Sequence, residues 1–235
     1  MKSYPPIADH GLIGDLQTAA LVTTDGSIDW YCCPRFDSPS VFASLLDRSR
    51  GGYFQIAPEG HDYVTKQLYF PDSAVLITRF MAPGGVGEVI DFMPIDRPEE
   101  ATERHQLIRG VRVVRGKMRF SMVCAPRFNF GRTAHDVEMA EHGAVFHTPD
   151  LSLTLHSSVG LERRENDVQA HFTLHAGQRA AAVLESAAEG LPRAIDPGEV
   201  FDTFTQTVEF WRKWLDRSTY RGRWREIVQR SAITL

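Results

Sequence analysis

The chain is short of cysteine, has no long apolar run and carries no excess of one charge sign, and each shortage closes off a class of protein. Three cysteines, two of them adjacent at Cys32 and Cys33, cannot make the disulfide framework of a small secreted scaffold. Free thiols in a reducing cytoplasm are the expectation. No stretch approaches the ~20 apolar residues of a membrane-spanning helix. The opening Met1-Lys2-Ser3-Tyr4-Pro5-Pro6 also lacks the apolar core of a signal peptide. A formal charge of -4, with both signs interspersed, offers nucleic acid or an anionic membrane no electrostatic purchase. The nine histidines form no H-x-x-x-H or H-E-x-x-H pair on a helix, so no metal site is expected, and His142 and His147 read as exposed residues flanking a turn. Pro83-Gly84-Gly85-Val86-Gly87 lies between two strand-like segments. A phosphate loop should open a helix, so this run is a hairpin turn. No cofactor is implied.

What is present is a core-forming chain. With 235 residues and 43% hydrophobic content it can bury one large core. Short segments rich in Val, Ile and Phe recur between Gly or Pro turns, which predicts a mainly β, antiparallel sandwich of around a dozen strands. Strands are predicted at 18–23 against 27–32 across Asp25-Gly26, at 53–57 and at 65–70, and as a hairpin of 74–81 with 87–93. A second hairpin is predicted at 105–114 with 117–125 across Arg115-Gly116. Further strands are expected at 136–140, 144–147, 151–156, 167–174 and 179–185. Helical spacing of Val41, Phe42, Leu45 and Leu46 predicts a helix over 40–46, capped by Ser38 with Pro39 at its first position. At Asp196 the texture changes. Asp196-Pro197-Gly198-Glu199 is a helix start, and Val200, Phe204, Val208, Trp211 and Leu215 form one apolar stripe. A second helix begins near Trp224 and carries Ile227, Val228 and Leu235. The division expected is a β domain over 1–195 and a helical segment over 196–235.

The stretch Asp25-Gly-Ser-Ile-Asp-Trp-Tyr-Cys-Cys-Pro-Arg-Phe-Asp-Ser-Pro-Ser-Val-Phe42 is the most information-dense in the chain. Alternation puts Ile28, Trp30 and Cys32 on one strand face and Asp29 and Tyr31 on the other. Pro34 ends the pairing, leaving Arg35, Phe36 and Asp37 on a stiff corner bounded by prolines. An aromatic face beside the planar donor fork of Arg suits a sugar, so Trp30, Arg35, Phe36 and Asp37 are candidate substrate-binding residues. Arg127 and Phe128 repeat this chemistry on a second loop, and two such loops on one sandwich edge would make a lip. The plain reading stands beside it: Trp30 in the core, Phe36 at an interface, Arg35 and Asp37 as a local ion pair. Among the acids, Asp29, Asp37, Glu88, Asp91 and Asp96 are not sorted into a catalytic pair by sequence, and Glu226 reads as structural.

This stretch resembles the N-terminal domain of bacterial trehalases and glucoamylases of glycoside hydrolase family 15. Four further segments fall in that family's order: Gly14-Asp15 to Ala20-Leu21, Glu88 to Pro94, Pro126 to Arg132, and Trp224-Arg225-Glu226 to Ser231-Ala232. The resemblance spans nearly the whole chain. It implies a super-β-sandwich placed before an (α/α)6 barrel, with both catalytic Glu residues on the barrel and none in this chain. On that reading Leu235 falls within the barrel's first helix, and Trp224, Ile227, Val228 and Leu235 face the missing barrel or support self-association. The implied substrate is an α-glucoside, hydrolysed with inversion. The alternative is a carbohydrate-binding or interaction module without catalysis.

Overall fold

A computed structural model describes residues 4–95, 98–186 and 190–234. The protein is mainly β, 45% strand and 16% helix. Its strands are β1 (His10–Gly14), β2 (Ala19–Thr23), β3 (Ser27–Cys32), β4 (Ser40–Phe42), β5 (Tyr53–Pro58), β6 (Val64–Tyr69), β7 (Leu76–Ala82), β8 (Gly85–Phe92), β9 (Gln106–Ala125), β10 (Asp136–Ala140), β11 (Gly143–His147), β12 (Ser152–Ser157), β13 (Glu162–Arg164), β14 (Asp167–His175) and β15 (Arg179–Ser186). Helices α1 (Pro197–Asp216) and α2 (Arg225–Thr234) follow. One sheet runs β1-β2-β3-β5-β9-β14-β13, with the short β4 on β3. The other runs β6-β7-β8-β9-β15-β12-β11-β10. Every pairing is antiparallel.

The two sheets share β9 and face each other across a core that includes Ile28, Phe54, Phe80, Phe120, Phe146 and Leu155. Polar ties cross it too. The Tyr69 hydroxyl on β6 accepts the Leu12 N–H of β1 at 2.8 Å and donates to the Leu12 carbonyl at 3.0 Å. At the centre Arg109 of β9, fully buried, donates through Nε to Asp91 Oδ1 of β8 at 2.8 Å and through Nη2 to the Gly26 carbonyl at 2.7 Å. Its Nη1 donates to the Phe54 carbonyl. One side chain thus joins both sheets.

Two sequence expectations fail here, each for a tertiary reason. Arg115-Gly116 is not a hairpin turn: β9 runs unbroken through it and passes from one sheet to the other. Gly116 has φ +75, and Val114 is an extra residue opposite Val86 and Gly87, so the positive φ serves a bulge and bend. Glycine permits either a reversal or a bend, and only the neighbouring strands decide which. The helix expected over 40–46 is absent. Residues 40–42 pair with β3 instead, and the Ala43 and Ser44 N–H groups donate to the carbonyls of Gly51 and Gly52. Val41 and Phe42 are both fully buried, so strand pairing plus core burial outweighs the helical spacing. Ser38 caps no helix; its hydroxyl accepts the Arg35 N–H at 3.1 Å. The short strands β1 and β13 escaped the sequence reading.

The helix start at Asp196 forms as expected, with Oδ1 accepting the Gly198 N–H at 2.9 Å. The stripe of α1 covers the outer face of the second sheet, where Val200 and Val208 pack with Val75, Ile77, Phe92 and Ile108. Beneath α1 that sheet is therefore apolar on both faces.

Candidate functional site

The corner after β3 is built by its own hydrogen bonds. The Ser38 N–H returns to the Arg35 carbonyl at 3.0 Å, and the Phe36 N–H donates to the Gln17 carbonyl at 3.2 Å, fastening the corner to the β1–β2 tip. Arg35 holds Asp37 in a two-point grip, Nε to Oδ1 at 3.0 Å and Nη2 to Oδ2 at 2.8 Å. That hydrogen bonding keeps the Asp37 carboxyl below its ordinary pKa. The local ion pair of the plain reading is thus present, and both partners are open to water. Phe36 between them is 72% exposed, a large apolar ring held out from the surface.

Trp30 is only half-buried and stays out of the core. A bulge in β3 breaks the expected alternation: Val22 pairs with Ile28 but Leu21 pairs with Trp30, leaving Asp29 extra. Tyr31 enters the core, and Trp30 turns to the Phe130 ring, 6.3 Å between centroids. Phe130 belongs to the second loop, where Asn129 and Phe130 adopt left-handed backbone with φ 51 and 58. Its N–H donates to the Ser40 hydroxyl at 3.1 Å. Arg127 grips Asp167 at 2.5 and 2.9 Å, and that pairing raises its pKa. Phe128 is buried edge-on to His135, 5.3 Å between ring centres.

The fold therefore brings the two Arg-Phe loops together but not the two guanidinium groups. Pro34 and Ser38 of one loop, with Phe128 and Asn129 of the other, line a cavity of about 170 Å³. Each Arg fork is closed on a carboxylate of its own. Phe36 faces a second, larger hollow of about 380 Å³ with Leu16, Gln17, Trp211, Arg230 and Ile233. Sequence reasoning missed Leu16 and Arg230 as members of this region. Leu16 is 45% exposed at φ 75, a left-handed conformation that a branched side chain seldom adopts. The Asp15 carboxylate shapes that tip by accepting the N–H groups of Gln17 and Thr18 at 3.1 and 2.9 Å.

Four further acids are buried in ion pairs inside the protein. Glu88, with no exposed side chain, meets Arg79 and Arg112, each through Nε at 2.7 Å. Asp91 meets Arg109, and Asp15 Oδ2 lies 2.5 Å from His105 Nδ1. Glu185 takes Arg104 at 2.5 Å and Gln106 at 3.1 Å. Burial works against its charge, but the hydrogen bonds from Arg104 and Gln106, with His156 Nε2 3.3 Å away, prevail, and its pKa falls to about 2. Asp96 lies outside the described residues. Among the described residues no group of three or more His, Cys, Asp or Glu could hold a metal, and no helix is long and apolar enough to cross a membrane. All three cysteines are free and buried, and burial raises Cys32 to about 11.

On α2, Trp224 and Ile227 are 53% and 62% exposed, Val228 is half-buried, and Leu235 lies outside the described residues. The helix is fastened by its other side. Arg230 donates to the Ser73 carbonyl at 2.8 Å and lies 3.8 Å from the centre of the Tyr69 ring, while Trp214 donates to the Ala232 carbonyl at 3.1 Å.

Fold and site together define an antiparallel β-sandwich domain whose buried acids tie strands together and whose loops and last helix present aromatic surface. The chain belongs to the trehalase-like N-terminal domain family, whose profile matches residues 2–188. It is 31% identical to a protein named trehalase from Thermoplasma volcanium, matching 100% of this chain and 38% of that one. It is 32% identical to the trehalase of Mycobacterium tuberculosis, over 99% of this chain and 37% of that protein. The trehalase of Mycolicibacterium smegmatis is 31% identical, with 99% and 38% covered. The chain spans well under half the length of these curated relatives.

Proposed function

We propose that this chain is the non-catalytic N-terminal domain of an inverting α-glucoside hydrolase of trehalase or glucoamylase type, acting in the cytoplasm. The observation that carries the reading is the match of essentially the whole chain to 37–38% of proteins named trehalase. The employment of Glu88, Asp91, Asp15 and Glu185 in internal ion pairs supports it. Inversion needs two carboxyl groups about 6.5–9.5 Å apart with room for a water between them. Buried carboxylates already locked in ion pairs with guanidinium or imidazole groups are poor candidates for that work. The acid and base then belong to an (α/α)6 barrel outside these residues. Phe36, Leu16, Trp224 and Ile227 are the apolar surface that meets it, and the corner of Trp30, Arg35, Phe36 and Asp37, with Arg127 and Phe128 beside it, edges its substrate entrance. The free buried thiols fit a reducing compartment.

The test compares the purified 235-residue chain with the longer protein. The chain alone should release no glucose from trehalose, maltose or maltooligosaccharides, and the longer protein should. In the longer protein Phe36→Ala should raise KM and lower kcat/KM roughly tenfold with kcat little changed, the pattern of lost uniform binding. Concentration-dependent release by the short chain, abolished by replacing one of its own acids, would overturn the proposal.

A further inference from the structure

The helix α1 covers only part of the outer face of the second sheet. Cross-strand register puts Leu68, Ile77, Ile90, Gly110 and Ala181 in one row across β6, β7, β8, β9 and β15. The first turns of α1 close on that row, with Val200 and Phe201 3.7–3.8 Å from where a Cβ on Gly110 would stand. Two residues further along each strand, on the same face, the next row reads Lys66, Arg79, Glu88, Arg112 and Arg179. The Arg179 guanidinium lies 4.2 Å from the centre of the Phe201 ring, at the rim of the helix's footprint. The row beyond is apolar and open: Val64 and Val114 are exposed, and Met81 and Val86 are half-buried.

The charged row is unbalanced. Glu88, with no exposed side-chain surface, holds Arg79 on Oε1 at 2.6 Å and Arg112 on Oε2 at 2.7 Å. Lys66 stands directly opposite Arg79, and Arg179 directly opposite Arg112. Among the described residues neither Lys66 nor Arg179 forms an ion pair, and Asp62, Glu199 and Asp202, near this face in the chain, form none either. One carboxylate for four cations leaves a net charge of +3 over four strand spacings, about 19 Å. Neighbours one spacing apart stand inside the screening length of about 8–10 Å, and like charges directly opposite destabilise a sheet. A face that meets only water needs no such alignment; one that meets carboxylates does.

The apolar row narrows the partner. The two rows run about 7 Å apart, so a helix of about 10 Å diameter covers both. Its pitch of about 5.4 Å nearly matches the ~4.8 Å between strands, and carboxylates one turn apart fall on successive strands. A nucleic acid would use the cations and leave Val64 and Val114 bare. We infer that this open end of the sheet docks an acidic amphipathic helix of a partner protein, its carboxylates on the cationic row and its apolar side chains on the valine row. The hollow at Phe36 meets α1 at Trp211, ten residues or about 15 Å of helix from Phe201. The docking face lies apart from that hollow, so it can fail while the hydrolase reading stands, and the reverse.

The probe is a synthetic five-turn helical peptide with one stripe of Glu and an adjoining stripe of Leu. It is titrated into the 235-residue chain at physiological ionic strength and followed by amide chemical shifts. Saturable shifts at Lys66, Arg79, Val114 and Arg179, with Kd of about 10–100 μM, are expected. Peptides with Gln in place of either stripe should bind at least tenfold more weakly. On the protein, Lys66→Glu combined with Arg179→Glu should weaken binding as much, and so should Val114→Asp. These exposed positions leave the Arg79–Glu88–Arg112 group intact, and unchanged shifts elsewhere report that the fold is kept. The inference falls if the folded wild-type chain shows no saturable shift on this face, or if the peptide lacking Glu binds as well as the original. It falls equally if the double variant binds unchanged, or if heparin saturates the face and the peptide does not. Sedimentation that shows the chain pairing through this face, with Val114→Asp monomeric, also overturns it, because a second copy is then the occupant.

Discussion

Replacing Arg109 with methionine tests the physical core of the fold. The guanidinium and the Asp91 carboxylate have no exposed side-chain surface, and Arg109 also serves the carbonyls of Gly26 and Phe54 and lies 4.8 Å from the Phe54 ring centre. Methionine fills much of the volume but leaves a buried carboxylate unpaired and two carbonyls without donors. Removing one partner of a buried pair costs about 3–5 kcal/mol. The lost carbonyl partners place this site toward the upper end of that range. For a domain of this size each kcal/mol lowers Tm by about 2–4 °C, so Arg109→Met should lose roughly 6–20 °C in a thermal melt followed by tryptophan fluorescence. The double variant Arg109→Met with Asp91→Leu removes the stranded charge and should recover part of the loss, about 1–3 kcal/mol relative to Arg109→Met alone. A loss below about 3 °C for Arg109→Met would mean that water reaches the pair. A double variant no better than the single would mean that the unpaired carboxylate is not what costs stability.

Two further predictions concern the periphery of the fold. The Glu185 carboxyl is depressed to about 2 in the folded protein. Its contribution is therefore fully present above its ordinary pKa near 4.5 and is lost as pH falls from there through 2. Urea melts should show Glu185→Gln missing that part of the wild-type pH dependence, and parallel curves from pH 5 to 2 would contradict the assignment. Arg230→Ala removes the hydrogen bond to Ser73 and the stack on Tyr69, so amide exchange over 228–234 should quicken several-fold while β9 stays protected. Unchanged exchange there would show that Trp214 and the chain connection suffice to hold α2.

Local grammar alone determined much of this protein. The β2–β3 hairpin follows from Asp25-Gly26, the β7–β8 hairpin from its glycine-rich turn, and α1 from a cap, a proline and a stripe at 3.6 spacing. Each of these is set by contacts within about twenty residues, so a linear reading finds them. The family resemblance was equally legible, because its motifs are local runs. Long-range partners decided the rest. Residues 40–46 carry helical spacing, yet β3 and the Gly51-Gly52 carbonyls claim their backbone. Gly116 looks like a hairpin glycine, yet partners on both sides keep β9 extended through it. The Arg35–Asp37 pair, two residues apart, was readable as one of two alternatives, but Arg127 looked like a free donor fork and is filled by Asp167, 40 residues away. Trp30 and Asp29 exchanged their expected places because one bulge reverses the alternation of every residue beyond it. A bulge exists only between two strands, so no single strand announces it, and the burial of Asp29 came into view only once β2 lay alongside β3.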